Sequence, residues 1–91
     1  MTLHAKDPQA VLDYGIDWSA WLAPDEVISD SAWRAEPGGD LGLDGMSHDG
    51  SSARITVAGG VAGRVYCLVN TITTSLGRSD ERSITIRIVE R

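Results

Sequence analysis

The stretch "GRVYCLVNTITTSLGRSDERSITIRIVE", Gly63 to Glu90, decides the fold. From Gly63 to Thr74 the chain meets no breaker, and Val65, Cys67 and Val69 alternate with Tyr66, Leu68 and Asn70. A spacing of two is that of a β-strand, whose successive side chains point to opposite sides. After a knot of charge the alternation resumes, with Ile84, Ile86 and Ile88 set against Thr85, Arg87 and Val89. Two long alternating runs joined by a few turn residues make a β-hairpin. Val65 is expected in the core, so Val65→Asp is expected to abolish folding by burying an unpaired charge.

Working back from the hairpin, "ARITVAGG" (53–60) reads as a strand with Ile55 and Val57 on one face and a glycine stop. Before it, "PGGDLGLDGMSHDGSS" (37–52) carries five glycines. Its Asp-Gly pairs at 44–45 and 49–50 predict tight reversals around a short strand centred on Leu41 and Leu43. In "EVISDSAWRAE" (26–36) the β-branched residues and serines favour a strand over a helix, with Trp33 pointing inward. The run "AVLDYGIDW" (10–18) places Leu12, Tyr14, Ile16 and Trp18 on one face, with an interruption or bulge at Gly15. Ser19 to Pro24 then form a short turn that Asp17 caps, with Trp21 and Leu22 tucked under the core. Residues 1–9 show no periodicity and read as a solvent-exposed arm, Pro8 being suited to start an edge strand. The chain is thus expected to be all-β, a single two-sheet antiparallel sandwich of about seven strands over residues 10–91, behind an arm at 1–9.

Bulk properties agree. Ninety-one residues suffice for one domain and one modest core, and 42% hydrophobic with 23% charged residues is globular rather than disordered composition. A formal net charge of −5 offers nothing to a phosphate backbone, so nucleic acid is not an expected partner. One cysteine, Cys67, forms no internal disulfide and fits synthesis in a reducing cytoplasm. No apolar run approaches the ~20 residues of a membrane span, and "MTLHAKDPQA" lacks a signal-peptide core, so no membrane role is expected.

The charged knot, Arg78, Asp80, Glu81 and Arg82, invites a docking role at the tip of the hairpin. Its bland reading is a solvated turn in which Gly77 supplies the positive φ and an exposed ion pair contributes only about 0–1 kcal/mol. The Arg78→Ala, Asp80→Ala double variant is expected to fold with stability within about 0.5–1 kcal/mol of wild type and yet to fail to join its assembly, which would separate the docking reading from the bland one. The knot holds no nucleophile beside a base, and no catalytic residue is assigned. Asp13 and Asp17 would lie ~13 Å apart along one strand, too far to share a cation, and no metal or cofactor is expected. His48 and Asp49 among Ser47, Ser51 and Ser52 form a turn rather than a hydrolytic triad. "GGVAG" (59–63) lacks the lysine and hydroxyl of a phosphate loop. Of the three tryptophans, Trp18 and Trp33 are assigned to the core, while Trp21 is left open as a candidate contact.

A glycine-bounded corner, a tyrosine early in a long strand, the exit "VNTIT" and a Gly-Arg turn resemble the last two strands of immunoglobulin-like domains. The resemblance implies that Tyr66 bonds back to the backbone at the corner; Cys67, adjacent to it and without a partner, would be a small buried hydrophobe. A closer resemblance runs through "KDPQAVLDYGIDWSAWL", "DEVISDSAW" and "AGGVAGRVYCLVNTITTSLGRSDERSITIRI". It is carried by Asp13-Tyr14-x-x-Asp17-Trp18, Gly59-Gly60-x-x-Gly63 and Thr73-Thr74-Ser75-x-Gly77-Arg78. These are similar to small phage and prophage structural proteins of the fibre-tail adaptor type. The resemblance implies an immunoglobulin-like, non-enzymatic adaptor made in the host bacterial cytoplasm and carried in the virion. It would be monomeric when isolated and multi-copy in a symmetric assembly, linking tail or neck to fibre or to neighbouring virion proteins. The rival reading is a carbohydrate- or cell-surface-binding module of the same fold, for which an exposed Trp21 would speak.

Overall fold

In the computed structural model, which describes residues 2–90, the hairpin forms as the alternation predicts. Strands β6 (Val65–Thr74) and β7 (Ser79–Ile88) pair antiparallel, with Tyr66 opposite Ile86 and Leu68 opposite Ile84. Opposed residues share a face. The isoleucine ladder of β7 therefore decides which face of β6 turns inward: Tyr66, Leu68, Asn70 and Ile72 are buried, whereas Val65 is 50% exposed. The expectation for Val65 is corrected accordingly. Both faces of β6 are apolar enough to enter a core, and the strand alone does not choose between them. Cys67 lies on the outer face with Val65 and is half-buried.

Seven strands form two sheets. One sheet runs β1 (Thr2–Lys6), β7, β6, β3 (Ile28–Glu36), and the other runs β2 (Leu12–Asp17), β5 (Ser52–Gly59), β4 (Leu41–His48). Their inner faces meet in a core built on Tyr14, Trp33, Ile55, Val57, Tyr66, Leu68, Ile84, Ile86 and Ile88, with a second cluster of Trp18, Ile28 and Ile72 toward the hairpin end. Trp18 and Trp33 are both buried, as expected of them. The body is elongated, 44 × 21 × 19 Å, so its loops gather at two ends.

Four local expectations are revised. Residues 2–6, read as part of an exposed arm, are β1, which pairs parallel with the second half of β7; Met1 lies outside the described residues. The strand is held because Lys6 is buried, its Nζ donating to the carbonyls of Gly59 (2.7 Å) and Asp7 (2.9 Å), while His4 packs edge-on against Tyr14 of the other sheet. Burial pushes the Lys6 ammonium below its ordinary pKa, against the opposing pull of the neighbouring Asp7 charge. Pro8 falls in the turn after β1 rather than at a strand start.

Gly15 causes no bulge, since β2 keeps one-to-one register with β5 from Leu12 to Asp17. The irregularities lie elsewhere. In β3 the register shifts between Ile28 and Asp30, which lets Ile28 and Trp33, of opposite parity, both face inward and leaves Val27 exposed. In β4 it shifts between Asp44 and Ser47, so Asp44-Gly45 is a bulge inside a strand and not a reversal. Gly45 has φ +58° there, and Asp44 accepts its N–H at 2.8 Å. Asp49-Gly50 does form the β4–β5 turn, with the Asp49 carboxylate accepting the N–H groups of Ser51 and Ser52.

At the other end of the body the corner before β6 is closed by Tyr66. Its hydroxyl accepts the Val61 N–H at 3.0 Å and donates to Asp40 at 2.9 Å, the backward bond that the resemblance implied. Gly60 passes so close to Ile88 that an added Cβ would meet its side chain at 2.6 Å.

The inner-face assignment is checked by two substitutions. Val65→Asp is expected to unfold cooperatively with stability within about 1 kcal/mol of wild type, because an exposed position hydrates the charge. Leu68→Asp, at a fully buried position, is expected to lose the thermal transition seen by near-ultraviolet circular dichroism.

Candidate functional site

The charged run does not form one tip. The turn between β6 and β7 is Ser75–Arg78, and Asp80, Glu81 and Arg82 lie within β7, opposite Ile72, Thr71 and Asn70. Alternation then parts them. Glu81 goes to the outer face, where it accepts from Thr71 Oγ1 (3.2 Å) and Arg34 (3.4 Å). Asp80 and Arg82 take the inward parity at the level where the sheets end.

Arg78 turns back from the hairpin onto the segment between β2 and β3. There Ala23-Pro24-Asp25-Glu26 make a turn in which Ala23 O accepts the Glu26 N–H at 3.0 Å and Asp25 has φ +65°. Pro24 at the second position and a positive φ at the third are the marks of a type II turn. It delivers the Glu26 carboxylate, only 4% exposed, into the end of the sandwich. Glu26 Oε2 accepts from Arg78 Nε (2.9 Å) and Thr74 Oγ1 (2.5 Å). Oε1 accepts from Ala23 N–H (2.8 Å) and from Arg78 Nη2. Every strong acceptor direction of a buried carboxylate is thereby used, as its burial requires. The Arg78 hydrogen bonds hold Glu26 well below the usual value of 4.5, at about 2, with Thr74 and the Ala23 N–H assisting against desolvation.

The aromatic pair sits directly on this clasp. Trp18 and Trp21 meet edge to face with centroids 5.5 Å apart. The Arg78 guanidinium lies 4.1 Å from the Trp21 ring centroid, and that of Arg82 lies 4.4 Å from the Trp18 centroid. Arg82 also donates to the Asp17 carbonyl (3.3 Å), and Arg78 to that of Trp21 (3.3 Å). Below, Trp18 Nε1 donates to Asn70 Oδ1 (3.0 Å), while Asn70 Nδ2 donates to Ser31 Oγ and the Ala32 carbonyl. Asp17 caps the turn by accepting the Ser19 N–H at 2.9 Å, as the sequence predicts.

Of the five candidate contact residues, Arg78, Arg82 and Trp21 are therefore built into the framework, Glu81 is bonded across the outer face, and Asp80 is exposed. Asp80 accepts only the N–H of its neighbour Glu81, at 2.7 Å. Trp21 is half-buried, with one ring face under Arg78. That face is closed to a sugar ring. The residue that sequence reasoning missed is Glu26, whose partners lie 48 and 52 positions away. Its only local signal is a carboxylate directly following Pro24-Asp25. Among the described residues, no group of three or more His, Cys, Asp or Glu is placed to hold a metal ion.

The assumption that Arg78 could be removed at little cost is corrected by this geometry, since its loss leaves a buried carboxylate without its counter-charge. Arg78→Ala alone is expected to lower Tm by on the order of 10 °C. The pH dependence has a definite sign. A depressed carboxylate pKa gives stability that is complete above about 4.5 and is lost as pH falls toward about 2. Glu26→Gln is therefore expected to lower Tm at neutral pH and to flatten the fall in Tm across that window. Thermal melts at a series of pH values check both.

No curated protein matches the chain. A family model, that of the podophage GP4 fiber-tail adaptor protein gp77, matches residues 6–87, from the buried lysine of β1 to Arg87 near the end of β7. The match takes in Glu26, both tryptophans of the clasp, Arg78 and Arg82, and the chain belongs to this phage structural family of fiber-tail adaptors.

Proposed function

We propose that the chain is a non-enzymatic structural adaptor of a tailed-phage particle, linking tail or neck to fibre or to neighbouring virion proteins. The observation that carries the reading is the family match over residues 6–87. Its scaffold is proposed to be an immunoglobulin-like sandwich. Support comes from the strand order, in which β2-β5-β4 and β3-β6-β7 follow the B-E-D and C-F-G order of such domains, with β1 added beside the last strand. The Tyr66 corner supports it further.

The hairpin end is the proposed contact region. Arg78, Arg82 and Trp21 hold it in place, while Asp80, on the inward parity, and Glu81, on the outer face, are both exposed, as are Val27 and Leu76. Rigid presentation matters for an adaptor, because a contact that needs no ordering on binding keeps more of its free energy. Repeated around a symmetric particle, individually weak contacts become an avid attachment.

Mass spectrometry of purified particles, with antibody-gold labelling viewed by electron microscopy, tests the reading. The expected result is the chain in the particle and label at the tail, neck or fibre roots. Particles that lack the chain would contradict it.

A further inference from the structure

β7 is ten residues long, and β1 pairs only with its second half, from Ile84 to Ile88. The direction of each backbone group on β7 follows from two bonds. Thr74 N–H donates to Arg78 O on the β6 side, and Val89 N–H donates to Lys6 O on the β1 side. Even-numbered residues of β7 therefore address β6, and odd-numbered ones address the β1 column. Beyond Thr2, the column opposite Glu81 and the N–H of Ser83 holds no strand among the described residues. The Glu81 N–H is accepted instead by the Asp80 side chain. Asp30 caps the Ser31 N–H in the same way on the β3 edge. An aspartate that plugs its neighbour's amide is a means of keeping an edge from pairing at random.

The two edges differ in what lies behind them. β3 comes close to β4 and closes its seam between the sheets. Along Arg82–Ile84 the opposite seam is open as a cleft of about 530 Å³, lined by the apolar Ile16 and Ile84 together with the polar His4, Asp17, Arg82 and Ser83. A strand laid beside β7 could place alternate side chains in this cleft, the way added strands gain specificity over that of backbone bonds alone.

We infer that Ser79–Ser83 of β7 accepts an extended segment of a partner protein as an added strand. The segment would carry an apolar residue for the cleft and, on the same side of the strand, a Lys or Arg facing Asp80. The cation is favoured because an incoming carbonyl takes the Glu81 N–H from Asp80 and leaves that exposed carboxylate with only the charge of its neighbour Arg78. The same acid argues against a second copy of this chain, since two such edges would bring Asp80 against Asp80 on molecules of net charge −5. The inference rests on the adaptor reading and names how its partner is held.

The test uses a phage deleted for this chain and complemented in trans, with incorporation into particles measured by mass spectrometry. Ser83→Pro removes an edge N–H without touching the β6 ladder. It is expected to keep its Tm within a few degrees and to lose incorporation at least tenfold. Asp80→Lys, at an exposed position, sets a cation beside Arg78 and is expected to fold with Tm lowered by a few degrees and to lose incorporation at least fivefold, which decides the matter if the proline variant misfolds. Ala35→Pro, whose N–H points out from the β3 edge, is expected to incorporate like wild type. Normal incorporation of folded Ser83→Pro or of Asp80→Lys would overturn the inference, as would equal loss with Ala35→Pro. Absence of the wild-type chain from particles would instead overturn the adaptor reading itself.

Discussion

A buried carboxylate must be neutralised and fully hydrogen-bonded, and the pairing of Glu26 with Arg78 fixes the hairpin end of this sandwich. Glu26 arrives on the turn between β2 and β3, and Arg78 on the turn between β6 and β7. Their bond therefore joins the segment that connects the two sheets to the hairpin turn of one of them, at a point where no strand ladder does. Once Arg78 is held, its guanidinium covers Trp21, Trp21 meets Trp18, and Trp18 reaches Asn70 in β6. Removing one charge of such a pair costs more than the pair itself contributes, because the other charge stays buried. The clasp does the work that a disulfide does in other small sandwiches, in a chain with one cysteine.

The opposite end is closed by different chemistry to the same effect. Tyr66 reaches back to Val61 and across to Asp40, and the buried Lys6 ties β1 to the end of β5. Between these polar fastenings the core is almost wholly apolar and gains its stability from burial. Apart from the local bond of Tyr66 to Val61, each fastening links segments distant in sequence, so the loops at both ends are held and not merely tethered.

That long-range character explains what was legible in the sequence. The β6–β7 hairpin, the inward isoleucines, the cores around Trp18 and Trp33, the Asp17 cap and the Asp49-Gly50 turn follow from local periodicity and turn chemistry. The burial of Tyr66 over Val65 does not, since both faces of β6 are apolar and only the register with Ile86 and Ile84 decides. Nor could the pairing of β1 be read, because five short residues with one lysine look like an arm until the carbonyl of Gly59 is brought to meet that lysine. At the candidate site the charged run stood out by composition, but its division into clasp, outer face and open edge depends on strand parity and on Glu26. The Asp44-Gly45 pair misled because a dipeptide that favours positive φ serves a bulge as well as a reversal.

For the function, the division matters more than the charge. A loose charged tip would contribute little to any contact, whereas a hairpin end made rigid by Glu26, Arg78 and the two tryptophans presents Asp80 and the open edge of β7 in one fixed geometry. The claim that this rigidity comes from a buried ion pair is tested most directly by a double-mutant cycle. Glu26→Gln and Arg78→Gln, singly and together, would be compared in thermal and denaturant unfolding with the same cycle on the exposed Arg34–Glu36 pair. The account expects strong coupling between Glu26 and Arg78 and coupling near zero for the exposed pair. Equal, near-zero coupling in both cycles would contradict it.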